Sequence, residues 1–129
     1  NVYGDRAPRT GQYSPVIGIF FRQRDAGEDL TIVGDGEQRR DFVHVSDVVS
    51  ANLAAAFNDV DDEHYGQVYN VGSGKNYSVN EIASWISDKQ VQLPERVGEV
   101  RVSLANIDKI KNVFGWEPKV DLEEWVRSR

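Results

Sequence analysis

Apolar and polar residues follow two spacings along this chain, one typical of amphipathic helices and one typical of short strands. Apolar residues three and four apart predict five helices, at residues 14–24, 46–57, 78–86, 106–115 and from 121 onward. Short runs rich in β-branched residues predict four strands, at residues 30–33, 42–45, 68–71 and 100–104. Because strands and helices interleave with no long linker, we expect one small domain of the α/β or α+β class.

The ends of the predicted helices carry residues that usually cap helices. Ser14 before Pro15 favours a helix start, and Gly27 favours the end of the same helix. Two capping-box patterns, with a glutamate three residues further on, begin at Ser78 and Asp121. The remaining expected boundaries are Ser46 and Asn106 as N-terminal caps and Gly115 as a terminating glycine.

The apolar residues also predict how the helices pack. In the first helix they are dense enough, at residues 16–21, to be buried on more than one side. In the second helix an apolar stripe is expected at Val48, Val49, Leu53 and Ala56. The core is the expected place of Trp85, Trp116 and Trp125.

Composition excludes several classes of protein. The 129 residues carry a net charge of −6, which argues against nucleic-acid binding as a main role. No apolar run approaches the ~20 residues that a membrane span needs. The absence of cysteine excludes disulfides and thiolate metal sites and fits a cytoplasmic protein. The chain contains no methionine, and its abrupt first residues suggest part of a longer protein.

A glycine-rich turn at residues 34–38 leads into two arginines. Arg40 adjoins a predicted strand, so the pleat fixes the direction of its side chain. A guanidinium held in this way suits a phosphate, whose oxygens match its planar set of donors. Arg39 is expected to be a solvated neighbour.

A second candidate lies in the loop after Pro94. Arg96 and Glu99 flank Gly98, and the pair could hold a phosphate and a ribose hydroxyl. An ordinary surface loop is the alternative interpretation of the same residues.

Other apparent motifs fail on spacing. The turn at residues 72–75 is not a phosphate loop, because Tyr69 replaces the first glycine and Asn76 the final Ser or Thr. The two histidines lack metal-ligand spacing. A hydrolase set of His44, Ser46 and Asp47 is disfavoured, since residues so close in sequence would point in different directions.

Taken in order, several segments resemble one family. They are residues 1–4 (NVYG), 30–38 (LTIVGDGEQ), 40–48 (RDFVHVSDV), 68–74 (VYNVGSG), 78–82 (SVNEI), 96–100 (RVGEV) and 115–118 (GWEP). The ordered set resembles the C-terminal, substrate-binding portion of extended short-chain dehydrogenase/reductases, the NAD-dependent epimerase/dehydratases that act on nucleotide sugars. UDP-sugar 4-epimerases are the most similar members.

The resemblance implies roles for five residues. Asn1 would contact the diphosphate of the substrate, and Arg40 and Arg96 would hold it. Glu99 would lie near the nucleotide ribose. Val33 would line the base pocket, although an aromatic residue is common at that place in the family.

The resemblance also implies what residues 1–129 lack. The family's glycine-rich NAD loop and its Tyr-x-x-x-Lys catalytic pair are absent. We therefore expect a nucleotide-sugar-binding portion without most of the Rossmann sheet, which neither binds NAD nor catalyses alone. Apolar surface near residues 16–21 is expected to be exposed or covered by self-association, and the expected partners are the missing Rossmann half or a second copy of the chain. The alternatives are a stand-alone, non-catalytic interaction module and, less favoured, a hydrolase using His44.

Overall fold

The computed structural model describes all residues, 1–129. The elements are β1 (Val2–Tyr3), α1 (Val16–Asp25), β2 (Leu30–Val33), β3 (Arg39–Arg40), β4 (Val43–His44), α2 (Val45–Phe57), a 3₁₀ turn (Asp62–His64), β5 (Tyr77–Ser78), α3 (Val79–Ile86), β6 (Gln90–Leu93), α4 (Asp108–Phe114) and α5 (Leu122–Arg127). No helix is long and apolar enough to cross a bilayer.

The six strands form three separate pairs. β1 pairs with β4 and β2 with β6, both parallel, whereas β3 pairs antiparallel with β5. Each parallel pair is joined by a long connection that contains helices, as parallel strands require. The chain is therefore a mixed α/β fold with short, mostly parallel sheets, which confirms the predicted class.

The main core lies where α1, α3 and α5 pack around β2. Its most deeply buried members are Phe20, Leu30, Ile82 and Ala83, each without exposed surface. A smaller core joins α2 to α4 through Ala51, Ile110 and Trp116. Trp116 and Trp125 are buried as predicted, and Trp85 packs half-buried against the main core.

Two of the predicted helix boundaries are confirmed in detail. At α3 the Ser78 hydroxyl accepts from Glu81 N at 3.0 Å, and the Glu81 carboxylate accepts from Ser78 N at 2.7 Å. At the end of α1, Gly27 takes a φ of +72°. There the N–H groups of Gly27 and Glu28 donate back to the last turn of the helix, which satisfies its free carbonyls.

Other caps differ from the prediction. α1 begins after Pro15, and the Ser14 hydroxyl makes no cap. α2 is capped by His44 rather than Ser46, because the helix begins one residue earlier, at Val45. The imidazole Nδ1 accepts from Ser46 N at 3.2 Å. At α5, Asp121 accepts from Glu124 N at 3.0 Å, so only half of the second capping box forms.

The predicted strands at residues 68–71 and 100–104 are wrong. Residues 68–71 form no ladder because no strand lies beside them, and the Val68 carbonyl instead accepts from Lys109 Nζ at 2.9 Å. Residues 100–104 are reduced to one bridge between Arg39 and Val102. β6 was not predicted from the sequence. Its residues alternate between polar and apolar, and all four are exposed in the structure.

The expected exposed surface at residues 16–21 is also wrong. Ile17, Phe20 and Phe21 are buried, because β2 and α3 of the same chain cover α1. Exposed apolar side chains lie instead on α2. The packing stripe expected at Val48, Val49, Leu53 and Ala56 is therefore wrong, because all but the half-buried Val48 are exposed and Asp47 and Ala51 form the buried side. We call the exposed row the α2 stripe; it consists of Val45, Val49, Leu53 and Phe57, which are 46–79% exposed.

Candidate functional site

One groove gathers every residue for which the sequence predicts a binding role. Its volume is about 580 Å³, within the range of small-molecule sites. Its lining includes Asn1, Val33, Arg40, Arg96 and Glu99. These residues come from the start of β1, the ends of β2 and β3, and the loop after β6. The fold thus places them together, while their binding roles stay predictions.

Arg40 is held in a defined orientation at the groove. Its side chain is 18% exposed, and Nη1 donates to the Arg39 carbonyl at 2.9 Å. Nη2 lies 3.5 Å from Glu99 Oε1, a long and partly exposed ion pair that contributes little by itself. Because the guanidinium makes no further hydrogen bond, its remaining donors are free for a ligand.

Glu99 is positioned by two donors that approach the same oxygen. Oε1 accepts from Arg40 Nη2 and from Gln38 Nε2, each at 3.5 Å. Gln38 is buried and also donates to the Val33 carbonyl at 3.0 Å. Glu99 Oε2 has no partner and can accept from a hydroxyl. Sequence reasoning missed Gln38, whose only signal is its place between the glycine-rich turn and the arginines.

Asn1 and Arg96 complete the polar lining. Asn1 Nδ2 donates to the Asp41 carbonyl at 3.3 Å, which holds the amide beside β4. Arg96 forms no hydrogen bond or ion pair and is exposed. The groove therefore offers one cation that the fold has oriented and a second that is free to move.

The glycine-rich turn is built for a close approach of backbone. Gly36 has a φ of +74°, and a side chain there would collide with Asn80 and with Ile32. Asn80 Nδ2 donates to the Asp35 carbonyl at 2.8 Å, so α3 clamps the turn from one side. The turn thereby delivers Gln38 and Arg40 to the groove in a fixed position.

An ion pair clamps the same turn from the other side. Both nitrogens of the Arg101 fork lie 2.8 Å from the two Asp35 oxygens. Hydrogen bonding from Arg101, aided by the Glu37 backbone N–H, lowers the pKa of Asp35 to about 2. The loop that carries Arg96 and Glu99 is therefore tied to the turn that precedes Arg40.

Arg39 is not the solvated neighbour that the sequence predicted. Its Nε and Nη2 both donate to Asn76 at 2.9 Å, and Nη1 lies 3.2 Å from Glu81. Its side chain joins β3 to α3 and to the residue before β5, because the pleat directs it away from Arg40. Arg39 is a structural residue outside the groove.

Asp41 organises the segments behind the site, and sequence reasoning missed it. Its buried carboxylate accepts from Ser73 N and Oγ at 2.8 Å, Gly74 N at 3.0 Å and Ala105 N at 3.2 Å. In the turn at residues 72–75, the N–H groups of Ser73 and Gly74 bond to this carboxylate, and the N–H of Lys75 bonds to Ser73 Oγ at 3.2 Å. That turn therefore cannot cradle a phosphate, in agreement with the sequence analysis.

The hydrolase set finds no support in the geometry. His44 Nδ1 faces Ser46, but the Asp47 carboxylate accepts from Lys119 N at 3.0 Å and Val120 N at 3.1 Å. Asp47 thus bonds to the chain before α5 and orients no imidazole. The other histidine, His64, lies with Asp61 and Glu63 on the surface, in an arrangement common without a metal.

Comparison with known proteins gives the family. The model of the NAD dependent epimerase/dehydratase family matches residues 1–72, more than half of the chain. The chain belongs to this family. The resemblance inferred from the ordered motifs is thereby confirmed.

Several relatives in the epimerase/dehydratase family match nearly the whole chain. UDP-glucose 4-epimerase of Mycolicibacterium smegmatis is 35% identical over 98% of this chain and 41% of its own length. The structure of UDP-glucose 4-epimerase with UDP-glucose from Thermotoga maritima matches with a TM-score of 0.83, 40% identity, 98% of this chain and 41% of that one. UDP-N-acetylglucosamine 4-epimerase from Methanobrevibacter ruminantium, in complex with UDP-N-acetylmuramic acid, matches with a TM-score of 0.84, 36% identity and the same coverages. The chain thus spans about two fifths of these relatives.

The family name implies that NAD is bound, but the turns of residues 1–129 do not fit a dinucleotide site. A dinucleotide site needs a strand, a glycine-rich turn with free N–H groups and a helix start. In the turn at residues 72–75, the N–H groups of Ser73 and Gly74 already bond to Asp41, and that of Lys75 bonds to Ser73 Oγ. The turn at residues 34–38 leads to β3 rather than to a helix. No reaction step is therefore assigned through NAD on these residues.

Proposed function

We propose that residues 1–129 are the nucleotide-sugar-binding portion of an NAD-dependent epimerase or dehydratase. The ligand would be a UDP- or dTDP-sugar, bound in the groove through its diphosphate. The observation that carries the proposal is that Arg40 and Arg96 line the same groove, although the two residues lie far apart in sequence. The chain as a whole is acidic, so this local pair of cations needs a specific explanation.

Each lining residue has a task in this proposal. Arg40 presents free guanidinium donors to one phosphate, and the mobile Arg96 closes on the other. The Asn1 amide adds a neutral contact to the diphosphate. Glu99 accepts ribose hydroxyls at its unpartnered Oε2, and Val33 borders the base.

Catalysis would depend on residues outside 1–129. In the complete enzyme NAD would be the hydride acceptor. We propose that the chain alone neither binds NAD nor turns over substrate. No Tyr-x-x-x-Lys pair occurs in residues 1–129 to move the accompanying proton. The chain's own contribution is to bind and orient the nucleotide sugar.

We further propose that the α2 stripe is a contact surface. The β1–β4 pair is parallel, and parallel sheets are ordinarily covered on both faces by other elements. The remaining part of such an enzyme, or a second copy of the chain, would cover the stripe. This exposed stripe is also the observation that favours the second candidate function, a non-catalytic interaction module.

Titration of the ¹⁵N-labelled chain with UDP-glucose, followed by amide NMR, tests the proposal. Shifts are expected for the amides of residues 38–41 and 95–100, with weak, millimolar-range saturation. Glucose alone serves as the control ligand and should leave these amides unmoved. Absence of any shift near Arg40 at millimolar UDP-glucose would overturn the binding proposal.

A further inference from the structure

The orientation of α1 against β2 shows which segment borders the far end of the groove. Gln23 and Thr31 exchange two hydrogen bonds, of 2.9 and 3.2 Å, and the two elements run in opposite directions. From Gln23, four residues toward the start of α1 cover about 6 Å. From Thr31, two residues toward the end of β2 cover about the same distance. Ile19 therefore lies across from Val33, and the residues before α1 lie beyond them at the same end.

Tyr13 stands at that end of the groove. It lines the groove, yet 91% of its surface is exposed. A turn presents it, closed by a 3.3 Å hydrogen bond from Ser14 N to the Gly11 carbonyl, with Gly11 at a φ of +106°. Phe20 and Phe42 also line the groove, but both are buried in the core. Tyr13 is thus the only aromatic ring of the lining with an open face.

A ligand whose phosphates bind Arg40 and Arg96 must place its remaining part along the rest of the groove. That part of the lining is mainly apolar, formed by Val16, Ile19 and Val33. A planar base fits such a wall, but Val33 offers no ring on which the base can stack. An open aromatic ring at the edge of the wall provides a surface on which a base can stack.

We propose that Tyr13 stacks on the nucleobase of the bound ligand. The inference rests on the proposed function of the groove and adds a base-recognising residue to it. Tyr13 then determines preference for a nucleoside diphosphate over diphosphate alone. Stacking covers a ring that is otherwise left in water.

Isothermal titration of the wild-type chain, Tyr13→Ala and Tyr13→Phe with UDP and with inorganic pyrophosphate tests the inference. Tyr13→Ala should weaken UDP binding about 5- to 150-fold, the range of base–aromatic stacking, and leave pyrophosphate binding unchanged. Tyr13→Phe should retain UDP affinity. Tyr65→Ala is the matched control, since Tyr65 is exposed and lies outside the groove.

The outcomes separate this inference from the proposed function. UDP affinity unchanged in Tyr13→Ala overturns the stacking inference and leaves the groove as the binding site. Equal weakening of UDP and pyrophosphate also overturns it, because the residue would then act on the groove as a whole. Failure of the wild-type chain to bind either ligand at millimolar concentration contradicts the proposed function itself.

Discussion

The Arg101 guanidinium and the Asp35 carboxylate form a two-pronged ion pair, with both nitrogen–oxygen distances at 2.8 Å. This pair spans 66 residues of sequence and joins the loop after β6 to the glycine-rich turn. Arg96 and Glu99 lie on the loop, and Arg40 follows the turn. The geometry of the groove therefore depends on a contact that lies outside its lining.

Arg101→Ala is expected to weaken UDP-glucose binding several-fold while barely changing stability. The ion pair is exposed, so its loss should change the free energy of unfolding only slightly. The UDP-glucose affinity should fall by more, because the ligand must then order the loop that carries Arg96 and Glu99. Calorimetric titration and urea unfolding measure the two effects.

Arg127→Ala is the matched control for this variant. It removes another exposed ion pair, to Glu123, and neither residue lines the groove. It should leave UDP-glucose affinity unchanged. Equal affinities of Arg101→Ala and the wild-type chain would show that the ion pair does not organise the groove.

The Asp35 carboxyl should titrate near pH 2 in the folded chain. Hydrogen bonds from Arg101 and from the Glu37 N–H favour its charged form and lower its pKa to about 2. A lowered folded-state pKa means that the unfolded chain binds the proton first as pH falls. The small stabilisation is thus complete above about pH 4 and is lost as pH falls toward 2.

Carboxyl ¹³C NMR of the wild-type chain and Arg101→Ala checks the titration. Removing Arg101 should move the Asp35 midpoint upward, toward the ordinary aspartate range. A midpoint that does not move would show that Arg101 is not the cause of the lowered pKa.

Arg40→Ala should weaken UDP-glucose binding by about 10-fold or more. A hydrogen bond to a charged group contributes about 1.5–3 kcal/mol, and a phosphate on Arg40 would receive at least one. Stability should change little, since the Arg40–Glu99 contact is long and partly exposed. Calorimetric titration gives the affinity, and thermal unfolding gives the stability.

Arg22→Ala controls for the loss of one positive charge. Arg22 is exposed in the last turn of α1 and has no ion-pair partner, so only the net charge changes. A similar affinity loss in both variants would point to a general charge effect rather than a contact at Arg40. Arg39→Ala is unsuited as a control, because Arg39 holds β3 to α3.

Local signals in the sequence were sufficient for part of this structure. The Ser78 capping box and the β-branched run of β2 involve residues that are neighbours in sequence, and both were predicted correctly. The strands expected at residues 68–71 and 100–104 failed because a strand needs a partner, and pairing is not encoded locally. β6 is the opposite case: its sequence gives only a weak apolar signal for a strand, and the strand forms because it pairs with β2.

The candidate site likewise contains residues that sequence motifs predicted and residues that they missed. The five predicted lining residues were found through ordered motifs, and the fold places all five in one groove. Gln38 and Asp41 were missed because their roles depend on distant segments: Asp41 bonds to Ala105, 64 residues away. Arg39 was misjudged for the same reason, since its partner Asn76 cannot be inferred from the glycine-rich turn.

Leu53→Asp should reduce self-association of the isolated chain. Leu53 lies in the middle of the α2 stripe and is 52% exposed. Contiguous apolar surface of this kind usually marks a contact site, and a carboxylate placed within it would be costly to bury. Sedimentation velocity at rising concentration should show association of the wild-type chain and a monomer for the variant.

Ala55→Asp is the matched control, because it adds the same charge to the same helix. Residue 55 is exposed but lies about 200° around the helix from Leu53, on the side away from the stripe. It should associate like the wild-type chain. A wild-type chain that stays monomeric at submillimolar concentration would exclude a second copy as the covering partner. The remaining part of an epimerase or dehydratase would then be the partner that the stripe requires.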